Sequence, residues 1–464
     1  MSTKPVVTFN PANNEQLASY PSLNETGING VLDSAVAVQR EWTKSALPER
    51  AAALRNLATI LRDEVEDHAT LISNEMGKPV SEARGEVLKC ATTCDYYADH
   101  LEEYLAPKAV KTEAVRSFVS YEPLGVIFAV MPWNFPYWQV IRFAAPTLAA
   151  GNAGLLKHAS NVTGSALAIQ SAIERAGFPK GLFTSLVVAD HSAVNRIVED
   201  PRVAAVTLTG SEKAGSMVAE AAGRALKKTV LELGGSDPFV VLNDANIEAI
   251  APFAVKARFI NTGQSCLCAK RFIVQDGVVA DFETRIKGIV ENLIIGDPLD
   301  PKTQIGPLAK ASFVDEIDGQ VQASLAMGAR LVTGGHRIDG PGNYYAPTIL
   351  ADVTPDMPVF NQETFGPVLA LVAADTPANA IALANNSQYG LAASIWTANP
   401  DLGLELGSGI ASGALFINGV VASDPRLPFG GVKLSGYGRE LSIEGMHEFV
   451  NVRAVWIGDM PSVA

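Results

Sequence analysis

Cysteine is scarce in this chain. Four thiols in 464 residues cannot make a disulfide framework. Histidine is scarce too, and His68, His100, His158, His191, His336 and His447 are scattered without ligand spacing, so no metal site is expected. Basic residues are outnumbered: 36 Lys and Arg face 49 Asp and Glu, a net charge of −13, and no Lys/Arg tract interrupts the excess. Nucleic acid and anionic membrane surfaces are therefore not expected as partners. Long apolar runs are missing as well; none approaches the ~18 residues a spanning helix needs. The opening MSTKPVVTFNPANNEQ has no apolar core of a signal peptide, and a cytoplasmic protein is expected. What is present, 48% hydrophobic and 18% charged residues, is the composition of a soluble globular protein with room for two to four domains.

Apolar positions recur at three and four over residues 26–104, which predicts helices. Cys90 and Cys94 lie four apart in one of them (81–104), on one face, where core filling is expected. From 106 to 121 the pattern turns β-like, and a strand Leu124–Met131 is halted by Pro132-Trp133-Asn134-Phe135-Pro136. Short apolar runs then alternate with helical ones. Strands are predicted at Leu155–His158, Phe183–Val188, Val203–Leu208, Thr229–Leu231 and Pro238–Leu242, with helices at 161–176, 191–199, 212–226 and 246–260. Such alternation means βαβ units around parallel sheets. Residues Glu448–Trp456 alternate as a strand would and, with 106–122, would pair with each other or with a second subunit.

The chemistry concentrates in Phe259–Arg271 (FINTGQSCLCAKR). Cys266 stands there among small and polar residues, unlike an inert packing thiol. Glu232, between Leu231 and Leu233 and before Gly234-Gly235, reads as a carboxylate in an apolar pocket, able to act as a general base, or else as a solvent-facing strand end. Asn134, boxed by Trp133, Phe135 and two prolines, is either a turn residue or a preorganised oxyanion donor. Gly210-Ser211 closes a strand and opens a helix, so Ser211 caps that helix and leaves free N–H groups suited to phosphate. Nucleophile, base and amide donor together suggest thiolate addition to an aldehyde, hydride departure and thioester hydrolysis.

At this point the chain resembles the aldehyde dehydrogenases over essentially its full length. MPWNFP (131–136), TGS (209–211), LELGG (231–235), the Cys266 run, ETFGP (363–367), FING (416–419) and PFGGVKLSGYGRE (428–440) stand in family order. The resemblance implies an α/β fold: a Rossmann-like cofactor domain (1–105 and 123–231), an α/β catalytic domain (232–436) and β oligomerisation segments (106–122 and 437–464), assembled as a homodimer or homotetramer. It implies Cys266 as nucleophile, Glu232 as base, and Asn134 with the Cys266 N–H as oxyanion hole. Lys157 and Glu363 would hold the cofactor riboses, Ser211 the pyrophosphate, and Trp133 and Phe365 the nicotinamide end, with Pro132, Gly210 and Leu233 also at the cofactor.

Many members that use NAD carry a Glu three residues after the ribose lysine; here Lys157 is followed by His158, Ala159 and Ser160. A serine removes a charge that would repel a 2′-phosphate and offers a hydroxyl to bind it, unless it only caps the next helix. NADP is the expected cofactor, with NAD possible. Among subfamilies the likeness is to the short succinate-semialdehyde dehydrogenases, in Pro132–Phe143, Lys157–Asn161 and Ser423–Arg426. The substrate expected is then an aldehyde with a distal carboxylate: succinate semialdehyde, another acidic semialdehyde such as that of glutarate, or a broader range. Arg142, eight residues past Asn134 and thus about 12 Å along a helix, would grip that carboxylate, or else form a structural ion pair. Trp138 and Ser423 would add contacts. Cys268 invites a reversible disulfide with Cys266, or is a buried small residue. A cysteine hydrolase would need a His base, absent from every motif, and a non-catalytic homologue would have lost one of Cys266, Glu232 and Asn134.

Overall fold

Two parallel sheets follow from the alternation of apolar strands and amphipathic helices. A computed structural model describes residues 4–190 and 192–460. The first sheet runs Gly436–Tyr437, Lys228–Glu232, Val203–Thr209, Val126–Met131, Ala153–His158, Phe183–Ser185. All of its neighbours are parallel except the edge pair, where Gly436 lies opposite Glu232. Its five parallel strands are ordered 3-2-1-4-5 from one edge, the doubly wound arrangement whose ligands sit at the carboxyl ends beside the switch point. Those ends here are Met131, which leads into Pro132–Asn134, and Thr209, which leads into Gly210-Ser211.

The second sheet runs Arg330–Thr333, Thr348–Ala351, Val368–Ala374, Ala269–Gln275, Asp237–Val241, Ala392–Trp396, Ala414–Ile417. Only its first pair is antiparallel. Near-continuous β-branched and aromatic residues bury both its faces, as expected of a sheet covered on both sides. The chain leaves Glu232 at the carboxyl end of one sheet and, after Gly234-Gly235, enters the amino end of a strand in the other. The cleft forms where these two ends face each other.

Four helices, Glu25–Trp42, Leu47–Asp63, Val65–Met76 and Val80–Leu105, precede the first sheet and share its core. Cys90 and Cys94 are fully buried there and take the core-filling role. The helix expected from residue 191 is described from Ser192; His191 lies outside the described residues. The strand expected over Phe183–Val188 stops at Ser185, because beyond it Val187 turns its carbonyl to the Leu23 N–H (2.8 Å).

A three-stranded sheet pairs Val450–Ile457 with Arg116–Pro123, and that with Lys108–Ala109. The two outlying β segments thus pair with each other in one chain. Of the span from 437 onward, Leu441, Met446, Phe449 and Val450 pack in the first core, and the strand Val450–Ile457 joins that extension; residues 461–464 lie outside the described residues. Val452, Trp456 and Ile457 are exposed on it. Among the described residues, no helix is long and apolar enough to cross a membrane.

Candidate active site

The thiol loop follows the helix Ile247–Phe259 and precedes the strand Ala269–Gln275. Its entry is strained: Asn261 and Thr262 have φ of 52° and 56°, a region disfavoured for side-chain-bearing residues and common at functional sites. The strain is held from outside. Glu82 accepts the Asn261 N–H (2.6 Å), Thr262 Oγ1 accepts from Gly306 N–H (3.0 Å), and Gln264 accepts from Ala309 N–H (2.9 Å). Gly263 needs its φ of 75°, and a side chain there would strike the Gly366 carbonyl at 2.2 Å. Beyond the thiol, Lys270 donates to the carbonyls of Ser265 and Cys266, both at 2.9 Å. Cys266 reaches the cleft while its surroundings exclude bulk water, and burial pushes its thiol up to about 12, against the partial relief of Lys270. At rest it carries its proton and needs a base.

Glu232 ends the strand Lys228–Glu232 and is buried. Neither carboxyl oxygen makes a hydrogen bond in the described structure, although the Gly431 N–H lies close enough to favour charge. Burial first, then the neighbouring Glu440, holds its carboxyl well above the carboxylate range, with Arg142 and Arg439 opposing. Its charge is felt at the Cys266 thiol. A carboxyl so placed takes up a proton readily.

Asn134 lies beside the thiol loop. Its Nδ2 donates to the Gln264 carbonyl (3.1 Å), its Oδ1 accepts from Gln139 Nε2 (3.0 Å), and its carbonyl accepts from Asn261 Nδ2 (2.8 Å). These contacts fix the amide and leave one of its two N–H groups for the cleft it lines. Among the described residues the Cys266 N–H donates to no protein acceptor. Two unsatisfied donors beside a thiol are the material of an oxyanion hole.

The cleft holds about 210 Å³ of free space, and Cys266, Asn134, Thr209, Ser211 and Leu233 are among its walls. Pro132, Trp133, Gly210, Glu363 and Phe365 line it too. Trp133 stacks on Phe313 at 5.0 Å and meets Phe365 edge-on at 5.8 Å. Ser211 caps the helix Glu212–Arg224 through the Ala214 N–H (3.4 Å), and the free N–H groups of that first turn face the cleft end. Glu363 accepts the Gly235 N–H (3.0 Å) and stands 3.5 Å from Lys270. Lys157 is buried and donates to the His158 carbonyl (2.9 Å). Burial, then Lys310, lowers its ammonium to about 8, and among the described residues no carboxylate pairs with it. Ser160 caps neither the short turn it opens nor the helix Thr163–Arg175, which removes the structural alternative; it lines a second, smaller pocket with His158 and Ser185.

The residues expected to meet the substrate are each held by neighbours. Arg142 is buried in an ion pair with Glu440, has Nη2 3.4 Å from Thr209 Oγ1, and lies over the Phe429 ring at 4.7 Å. An ion pair is the arrangement its sequence offered beside a grip on the distal carboxylate. Ser423 Oγ accepts from Lys89 Nζ at 2.7 Å, and that ammonium sits 4.0 Å from the Trp138 ring centroid. Cys268 is buried beneath the loop, with Sγ 3.6 Å from the Ile260 carbonyl, and burial raises its thiol pKa.

Several supporting residues carried no motif. Glu86 accepts the Tyr137 and Trp138 N–H groups (2.8 and 2.9 Å) at the start of the helix Trp138–Ala149 and pairs with buried Lys78. His158 Nε2 meets the Pro136 carbonyl (2.9 Å) while Nδ1 accepts from Ala159 N–H (3.0 Å), the pattern of a neutral ring; burial lowers its pKa to about 4. Glu82, Glu86 and Lys89 recur at four and three on the helix Val80–Leu105, a spacing that marks one face but not its use.

The profile of the aldehyde dehydrogenase family matches residues 1–455. A Synechocystis sp. protein named "Probable succinate-semialdehyde dehydrogenase (NADP(+))" is 49% identical over 452 residues, covering 97% of this chain and 99% of that one. The Escherichia coli succinate semialdehyde dehydrogenase (NAD(P)+) is 46% identical over 450 residues, with 97% of each covered. The structure of the Streptococcus pyogenes succinic semialdehyde dehydrogenase in complex with NADP+ superposes with a TM-score of 0.95 at 39% identity, covering 98% of this chain and 100% of that one.

Proposed function

This chain belongs to the aldehyde dehydrogenase family, and from that premise we propose that it oxidises succinate semialdehyde to succinate with NADP as the preferred cofactor and NAD as the second. The observation that carries the reading is that Cys266 and Asn134 share the wall of one cleft, with the charge of buried Glu232 felt at the thiol, and that the other walls suit a dinucleotide. The donor set fits the cofactor. Lys157 is a buried cation without a carboxylate, Ser160 has an uncommitted hydroxyl, a capped helix start offers N–H groups to a pyrophosphate, and Trp133 with Phe365 supplies a flat apolar end. Glu363 would turn from Gly235 to a ribose hydroxyl. Bound there, the cofactor accepts the hydride that leaves the substrate carbon.

The protein's own steps follow from the geometry. The thiol, held protonated by burial, gives up its proton as Glu232 takes one. The thiolate adds to the aldehyde carbon, and the Asn134 and Cys266 N–H groups receive the negative oxygen. With the carbon oxidised, the product is a thioester on Cys266. Glu232 passes that first proton to solvent and then draws one from water, whose oxygen adds to the thioester carbon. The C–S bond breaks, succinate leaves as the carboxylate with loss of its remaining proton to solvent, and the departing thiolate takes the proton back from Glu232. The distal carboxylate lies toward Arg142, Trp138 and Ser423, which together set the acidic end of the pocket.

We further assign cofactor binding to 1–105 and 123–231 and catalysis to 232–436. Oligomerisation falls to 106–122 with the C-terminal strand, as a homodimer or homotetramer. The exposed Val452, Trp456 and Ile457 support this last part. Four free cysteines suit a reducing cytoplasm. The test is NADPH formation by purified protein from succinate semialdehyde, set against glutarate semialdehyde and butanal. A higher kcat/KM for either of the others, or no reduced cofactor from any, overturns the reading.

A further inference from the structure

The two oxyanion donors hang from one residue, Asn261, which is fully buried. Its side-chain amide donates to the Asn134 carbonyl (2.8 Å) and to the Gln264 carbonyl (2.9 Å). The Gln264 carbonyl also receives Asn134 Nδ2 (3.1 Å), and Cys266 follows two residues later. Asn261 thus ties the loop of the amide donor to the loop of the thiol. It does so from φ 52° and ψ 35°, with Thr262 beside it at 56° and 31°. Two consecutive left-handed residues with side chains, one of them β-branched, are costly unless neighbours hold them. Among the described residues Asn261 Oδ1 meets no donor, so the amide is not held from its other face.

The hold on the Asn261 backbone comes from another element. Glu82, in the first turn of the helix Val80–Leu105, accepts the Asn261 N–H at 2.6 Å. Among the described residues this is the only hydrogen bond of that carboxylate. The charges facing it are Lys78 two residues before the helix, Lys256 on the helix that leads into the thiol loop, and Glu86 one turn on. Its own charge is felt at the Cys268 thiol beneath the loop. Burial raises its carboxyl to about 7, and the Asn261 N–H, then the two lysines, pull it back. An acidic residue in a first turn also steadies its own helix through the dipole. That role needs only charge, whereas holding Asn261 needs an acceptor oxygen at the right reach.

We infer that Glu82 is a positioning residue for the reaction: it holds the left-handed start of the thiol loop and, through the Asn261 amide, sets Asn134 and the Cys266 N–H as a matched pair of oxyanion donors. This rests on the reading of Cys266 as nucleophile and Asn134 as donor. Glu82 does not line the cleft and acts through Asn261.

The experiment compares wild type with two variants that separate charge from reach. Glu82→Asp keeps the charge but is one methylene short; Glu82→Gln keeps the reach and an acceptor oxygen but no charge. A displaced oxyanion donor predicts that Glu82→Asp lowers kcat about 10- to 100-fold. Its aldehyde KM and NADP affinity should change less than about threefold, and Glu82→Gln should stay within about threefold of wild type throughout. A second readout does not depend on turnover: iodoacetamide alkylation at fixed pH, followed site by site by mass spectrometry. A loosened loop admits water to the thiol and lowers its burial cost, so Cys266 in Glu82→Asp should react about threefold faster or more. Cys90 and Cys94, in the helical core, should react as in wild type. The reverse pattern, with Glu82→Gln impaired and Glu82→Asp intact, assigns the residue to its helix dipole and overturns the inference. Both variants impaired alike, or both as fast as wild type with only a lower melting temperature, overturn it too. Should wild type form no reduced cofactor from any aldehyde, the reading of the site fails, and the alkylation contrast still decides for or against Glu82.

Discussion

The two halves of the cleft are built in opposite ways. The cofactor half uses strand ends, backbone N–H groups and aromatic rings: Gly210, Ser211, Trp133 and Phe365. Lys157 is buried and donates to the His158 carbonyl. The other half is a lattice of buried charge: Glu232, Glu440, Arg142, Glu86 and Lys78. Backbone donors need only a fixed loop, whereas buried ions must be matched almost one for one. The first design tolerates a large, exchangeable ligand. The second holds the reacting groups at unusual proton affinities and discriminates by charge.

The sharpest way to break this contrast is to neutralise the base. Glu232→Gln should lower kcat by about 10²- to 10⁴-fold, slowing both thiol deprotonation and thioester hydrolysis. Rapid-mixing measurements should then show slow formation of reduced cofactor without a burst; a variant as fast as wild type would remove Glu232 from the mechanism. Next comes the lattice itself. Glu86→Ala leaves Lys78 buried and unpaired and frees two helix N–H groups, so a loss of about 3–5 kcal/mol is expected, read as a fall in melting temperature. Ser160→Ala, on the cofactor side, should cost far less than about 1 kcal/mol by the same measurement. Similar losses in the two halves would erase the distinction.

On the cofactor side, Ser160→Glu should weaken NADP binding about 10- to 100-fold through like-charge repulsion and leave NAD within threefold, checked by titration of the cofactor. The thiol between the halves gives a smaller but cleaner signal. Because Cys266 lies near 12, the thiolate fraction, and with it alkylation by iodoacetamide, should climb about tenfold per pH unit from pH 7 to 9. A plateau in that window would place the thiol's proton loss near neutrality instead. Smallest is the effect of Cys268. If hydrogen peroxide joins Cys266 and Cys268, two thiols are oxidised to one disulfide and the peroxide is reduced to two waters. Inactivation of wild type should then be reversed by dithiothreitol, and that of Cys268→Ala much less so; equal reversal in both would end the idea of a brake.

The same contrast decides what the sequence could tell. Cys266, Glu232 and Asn134 stood out because each sits in a loop or strand end in company that packing does not require. The parallel sheets followed from alternation, and Ser211 from its place between strand and helix. Lys89, Glu82 and Glu86 did not stand out. On a helix, polar residues at three and four look the same whether they face water or a buried site. The Arg142–Glu440 pair joins residues far apart in sequence, and no local pattern announces a partner at that distance. Gly436–Tyr437 is two residues long, too short for any periodicity, yet it is the edge strand against which Glu232 rests.

That edge pairing has a consequence for how the enzyme comes into being. A ribosome delivers the strand Lys228–Glu232 long before it delivers Gly436–Tyr437 or the Glu440 that balances Arg142. Through most of synthesis the first sheet therefore presents an open edge, a ready template for unwanted pairing, with its future base at the end of it. The nascent chain is inert until its last segment threads back.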